Sequence, residues 1–176
     1  MFAHVETAED LRLGMKLGVD AFGNVPGNNW DGSGDAAKYD LSDDDLKKLA
    51  KKKTPVVALF SHSQTVSGRT GAQEANGKLL KRLFDNNVNI VIGSDDPQRN
   101  IRSELNYWFS LGVQDNKKVL KALCENTPKA IYPKRKIGKF DDGYEASFLV
   151  LTSNPLENFQ KARLPVMKVK QGVILK

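Results

Sequence analysis

One cysteine, two histidines and two tryptophans among 176 residues rule out several familiar chemistries at once. A lone Cys124 cannot close an internal disulfide or build a cysteine-rich metal cage, and in "VLKALCEN" it reads as a small hydrophobe packed in a core. No apolar run reaches the ~20 residues a membrane-spanning helix needs. The opening "MFAHVE" lacks the charged and apolar regions of a signal peptide. The expectation is a chain with no membrane partner, cytoplasmic as written, with export of a longer parent left open. Low-complexity segments and internal repeats are also missing.

Positive charge is in surplus, with 27 Lys and Arg against 21 Asp and Glu and a net charge of +6. Its distribution argues against a nucleic-acid partner. In "LSDDDLKKLAKKK", Ser42 reads as an N-cap, Asp43, Asp44 and Asp45 fill the first turn of a helix and Lys51, Lys52 and Lys53 the last, which complements the helix dipole at both ends. The one basic loop cluster, "YPKRKIGK" at 132–139, has no interleaved aromatic ladder on which bases would stack and reads as a solvated turn.

With 40% hydrophobic residues the chain can bury one core, and its segments alternate. Residues 2–5 read as a strand. "TAEDLRLGMKLG" follows as a helix capped by Thr7, with Asp10 three residues on and Leu11, Met15 and Leu17 on its apolar face. "VDAF", "TPVVALF" and "NIVIG" are further strands, "AQEANGKLLKRLFDN" and "PQRNIRSELNYWFSLG" further helices, and another helix capped by Asp115 is expected to end at Thr127 and Pro128. Four βα units in a row predict a parallel sheet with crossover helices. From about residue 137 the pattern changes to short strands with Gly turns, as in a small antiparallel sheet. A buried strand at residue 2, with no lead-in, is expected of a chain that starts inside a larger fold.

Chemistry is expected where parallel strands end. In "NIVIGSDDPQRN", Asp96 before Pro97 reads as an N-cap, which leaves Asp95 free at the carboxyl end of its strand. His4 ends the first strand and His62 follows the third in "ALFSHSQ". Two imidazoles and a carboxylate at one sheet edge make a plausible zinc set. His62 also reads as a loop histidine bonded to backbone or water. "GAQEANGKLL" fails as a phosphate loop, since five residues separate Gly71 from Gly77 and Leu79 stands where Ser or Thr would hold magnesium.

"AHVETAEDLRLGMKLGVDAFGNVPG", "IVIGSDDP" with Glu104 on the helix after it, "ALCENTPKAI" and "IGKFDDGYEASFLVLTSNPLENF" together resemble the carboxyl-terminal half of the amidohydrolase superfamily, in its imidazolonepropionase and prolidase-like branch. The resemblance implies an α/β fold: the second half of a (β/α)8 TIM barrel, strands five to eight, over residues 1–136, and part of a small β-sandwich domain over 137–176. It implies a metal-dependent hydrolase of amide or lactam C–N bonds acting on a small molecule, with Asp95 as metal ligand and proton acceptor and His4 as a second ligand. In "GVDAFGN", Asn24 replaces the histidine ligand the family pattern expects there. The implied divalent metal, zinc by ligand type, would therefore have an incomplete site, and His62 is left as a candidate substrate contact. The isolated chain is expected to be inactive and to pair with a second copy or with a missing amino-terminal half. The alternative is a decayed, non-catalytic βα module kept for binding or assembly.

Overall fold

A computed structural model describes the chain except for residues 29, 31–33, 62–69, 96, 97, 99, 114 and 161–163. It forms two compact units, Met1–Gln114 and Asp115–Lys176. The division expected at 136/137 falls inside the second unit.

The first unit is built on β1 (Phe2–His4), β2 (Ala21–Gly23), β3 (Val56–Ala58) and β4 (Ile90–Ile92), all parallel and hydrogen-bonded in the order β1-β2-β3-β4. Strand order equal to chain order means that every crossover advances in one direction. A right-handed crossover of that kind keeps its helices on one face, as in a (β/α)8 barrel, whereas a doubly wound sheet reverses order at a switch point. The α/β class and the partial-barrel-plus-β-domain architecture expected from the sequence are the ones observed.

Local signals start the crossover helices. Helix α1 (Ala8–Leu17) opens on a capping box between Thr7 and Asp10 and closes on Gly18 at φ 71°; α2 (Asp43–Lys52) opens on the equivalent box between Ser42 and Asp45. On α1, Leu11 and Met15 are buried but Leu17 is 63% exposed, because a residue two past Met15 has turned about 200° around the axis. Gly14 completes the buried stripe: a Cβ there would lie 2.4 Å from the Phe22 ring, so only glycine lets α1 approach β2 this closely. Helices α3 (Thr70–Asp85) and α4 (Ile101–Ser110) cover β3 and β4. Leu80, Leu83, Leu105 and Trp108 are buried there, and the Trp108 ring meets Phe84 edge-on at 5.5 Å. Asn100 caps α4, its side chain accepting from Arg102 N at 2.9 Å. The helix therefore starts later than the Asp96 and Pro97 pair suggests; those two residues lie outside the described ones.

Asp45 does more than cap. It is 4% exposed and accepts from Ser42 N, Ser42 Oγ and the Arg12 guanidinium, with Arg12 Nη2 at 2.8 Å, so it joins α2 to α1. Burial is the largest single influence and pushes its carboxyl up, but Arg12 and Ser42 together hold it below the usual carboxylate value. The stability it contributes is present above the unfolded aspartate pKa of about 3.9 and is lost as pH falls through the lower folded value. Asp45→Asn is expected to cost about 1–3 kcal/mol near neutral pH, and progressively less in acid below that range, in denaturant unfolding followed by tryptophan fluorescence.

In the second unit α5 (Asn116–Lys121), a π-turn (Ala122–Asn126) and α6 (Thr127–Ile131) run on without a break, where an end at Thr127 and Pro128 is expected. Widening the helix before Pro128 accommodates the missing N–H, and Thr127 Oγ donates to Ala122 O at 2.7 Å. Cys124, two residues past Ala122 and so about 200° around the helix, lies off the buried stripe of Val119 and Ala122 and is exposed instead of packed in a core. Strands β5 (Phe148–Leu151), β6 (Pro165–Lys170) and β7 (Val173–Leu175) form the expected antiparallel sheet. The basic loop is partly engaged within this unit: Arg135 pairs with Glu145 and lies 4.8 Å over the Tyr132 ring. No helix among the described residues is long and apolar enough to cross a membrane.

Candidate functional site at the carboxyl edge

Because the four strands are parallel, residues that follow them lie along one edge, and pairing register decides which side chains face the helices. Val56 pairs with Ile90 and Ala58 with Ile92, and all four are buried, with Ile90 1% exposed. Ile90 therefore shares the helix side with Val56, and Val57 turns to the opposite face of the sheet. Val57 and Leu59 lie against Gly93, where a Cβ would come within 2.8 Å of Leu59 and 2.9 Å of Val57. Similarly, Phe2 lies over Gly23, within 2.4 Å of a Cβ built there, while remaining 65% exposed.

His4 ends β1 with its Nε2 3.4 Å from Glu6 Oε1, and both side chains are open to solvent. Asp95, three residues past the end of β4, is also exposed and holds φ at 50°. Left-handed backbone is uncommon outside glycine, and Asp is among the residues that tolerate it. His4 and Asp95 follow the two terminal strands, three inter-strand spacings apart, or about 14 Å measured along the sheet. His62 lies outside the described residues.

Asn24 directly follows β2. Its φ is 77°, its N–H donates to Val57 O at 3.2 Å and it is 2% exposed, with no partner for Oδ1 among the described residues. Asn28 is equally buried and donates from Nδ2 to Leu59 O at 3.3 Å. Asn24 is thus enclosed at the strand end. Among the described residues no three His, Cys, Asp or Glu side chains are grouped to hold a metal ion. With His4 and Asp95 on separate terminal strands and an amide at β2, these residues do not fit a complete zinc centre, which needs three protein ligands and an open position.

Glu104, which the sequence carries only as part of the resemblance, has a structural role that its motif does not state. It is fully buried on α4, and both carboxyl oxygens accept: Oε1 from Phe60 N at 2.9 Å and Trp108 Nε1 at 2.6 Å, Oε2 from Ser61 N at 2.7 Å. Burial dominates and pushes its carboxyl above the ordinary value, against the pull of Ser61, Trp108 and Phe60. The available signal was a glutamate four residues before Trp108, on the apolar face of "IRSELNYWFS".

No family model matches the sequence and no curated protein is significantly similar to it. Solved structures are. An amidohydrolase is 17% identical with a TM-score of 0.73, over 99% of this chain and 44% of that one. The A. niger ochratoxinase is 20% identical with a TM-score of 0.72, over 99% and 41%. A Xaa-Pro dipeptidase with methionine bound is 18% identical with a TM-score of 0.69, over 99% and 44%. The chain has the fold of part of an amidohydrolase. It spans less than half the length of these structures, and at such identities the likeness is one of fold.

Proposed function

We propose that this chain is the carboxyl-terminal portion of an amidohydrolase-like, metal-dependent hydrolase of C–N bonds in small amides or lactams, inactive by itself. Residues 1–136 supply half of the barrel and 137–176 a segment of the β-domain. The observation that carries this reading is the placement of His4 and Asp95 after parallel strands on one sheet edge, in a fold shared over 99% of the chain with hydrolase structures. His4 and Asp95 are the metal ligands this chain contributes, Asp95 is the proton acceptor, His62 is a candidate substrate contact by the resemblance alone, and Asn24 stands where the family pattern expects a histidine ligand. Ligands from outside the chain complete the centre. β1 and β4 are the terminal strands of this sheet, and a second copy or an amino-terminal half would extend it there.

The purified chain is expected to show no turnover of amide or lactam substrates with zinc or manganese, and to associate in light scattering. Robust turnover by the chain alone, abolished by Asp95→Ala, would mean that it carries a complete site. The enclosed Asn24 amide favours a second reading, a non-catalytic βα module kept for binding or assembly. Metal analysis after dialysis of the chain combined with an amino-terminal half separates the two: zinc retained in a manner dependent on His4 and Asp95 supports the hydrolase, and none retained supports the module.

A further inference from the structure

Glu104 ties the helix that follows β4 to the exit of β3. Its helix begins after the segment that carries Asp95, and its carboxyl group reaches back to the first residues after β3. Phe60 and Ser61 lie 44 and 43 residues earlier in the chain and are buried, so water does not compete for their N–H groups. Trp108, one helical turn on, donates to the same Oε1 and fixes the side chain from behind. The three N–H groups can only donate, and serving both backbone N–H groups at once requires an acceptor at each oxygen. Glutamate has two such oxygens and glutamine only one.

We propose that Glu104 is a positioning residue: it holds the backbone where the chain leaves β3 at a fixed distance from the helix that follows Asp95, and so sets the width of the carboxyl edge between strands three and four. This deepens the hydrolase reading and rests on it for its functional meaning, but the clamp is testable without activity.

Amide hydrogen exchange and 1H–15N spectra of the full chain provide the test, comparing wild type with Glu104→Gln and Trp108→Phe. In wild type the Ser61 and Phe60 amides and the Trp108 indole N–H are expected to be protected and shifted downfield. Glu104→Gln keeps the Oε1 acceptor and turns an NH2 toward Ser61. The Ser61 amide is then expected to exchange at least tenfold faster and to lose its downfield shift, while Val56, Ile90 and Ile92 keep their protection. Trp108→Phe removes the indole donor together with part of a buried ring, leaves both Glu104 oxygens in place, and should leave Ser61 within about twofold of wild type. Uniform loss of protection across all four strands in Glu104→Gln would reduce Glu104 to a general core residue. Unchanged exchange at Ser61 in that variant, or loss at Ser61 in Trp108→Phe, would overturn the clamp. None of these results depends on whether the chain belongs to a hydrolase.

Discussion

Glu104→Ala is expected to lower the stability of the first unit by about 3–5 kcal/mol, the largest effect of any single substitution considered. Truncation leaves the N–H groups of Phe60, Ser61 and Trp108 without their acceptor in a region closed to water. Each stranded donor costs about 1–3 kcal/mol, and the cavity left by the four heavy atoms beyond Cβ adds to it. Relief from burying a carboxyl group offsets part of this, which keeps the total below the simple sum. Both tryptophans, Trp30 and Trp108, lie in this unit, so their fluorescence reports its unfolding separately from Asp115–Lys176. A midpoint within about 0.5 kcal/mol of wild type would show that the polar contacts at Glu104 contribute little to stability.

Gly138→Ala is expected to destabilise the second unit by about 2–4 kcal/mol. Gly138 holds φ at 82°, and a Cβ built there lies 2.1 Å from the carbonyl oxygen of Cys124. Backbone is on both sides of that contact, so no rotamer change relieves it. Cys124 stands four residues before Pro128, at the position whose carbonyl a proline cannot satisfy. The loop after α6 comes back to that carbonyl, and only a residue without Cβ reaches it. Hydrogen exchange in β5, β6 and β7 should accelerate in the variant, while tryptophan fluorescence unfolding of the first unit stays where it was. Unchanged protection in the three strands would show that the loop shifts to accept a methyl group at little cost.

Features that depend on neighbours within one helical turn were legible without coordinates. Thr7 with Asp10 and Ser42 with Asp45 are capping boxes whose partners are three residues apart, so spacing alone implied the contact. The apolar runs at 56–58 and 90–92 stood out as buried strands, and their alternation with helical stretches implied a parallel sheet. The position of His4 and Asp95 at one sheet edge followed from that grammar, because parallel strands bring their carboxyl ends to one edge whatever the curvature of the sheet. What only the tertiary structure decided involves partners tens of residues apart, or a register. Ile90 faces the helices because it pairs with Val56, and a slip of one residue would have turned Val91 there instead. Cys124 is exposed because it stands about 200° around its helix from the buried Ala122, on a side that the fold leaves open. Glu104 enters the resemblance after "IVIGSDDP", but two of its donors are backbone N–H groups, which have no residue identity to read. Its role exists because folding brings the exit of β3 against α4, where two N–H groups can be satisfied only by a carboxyl group reaching them from outside the strand.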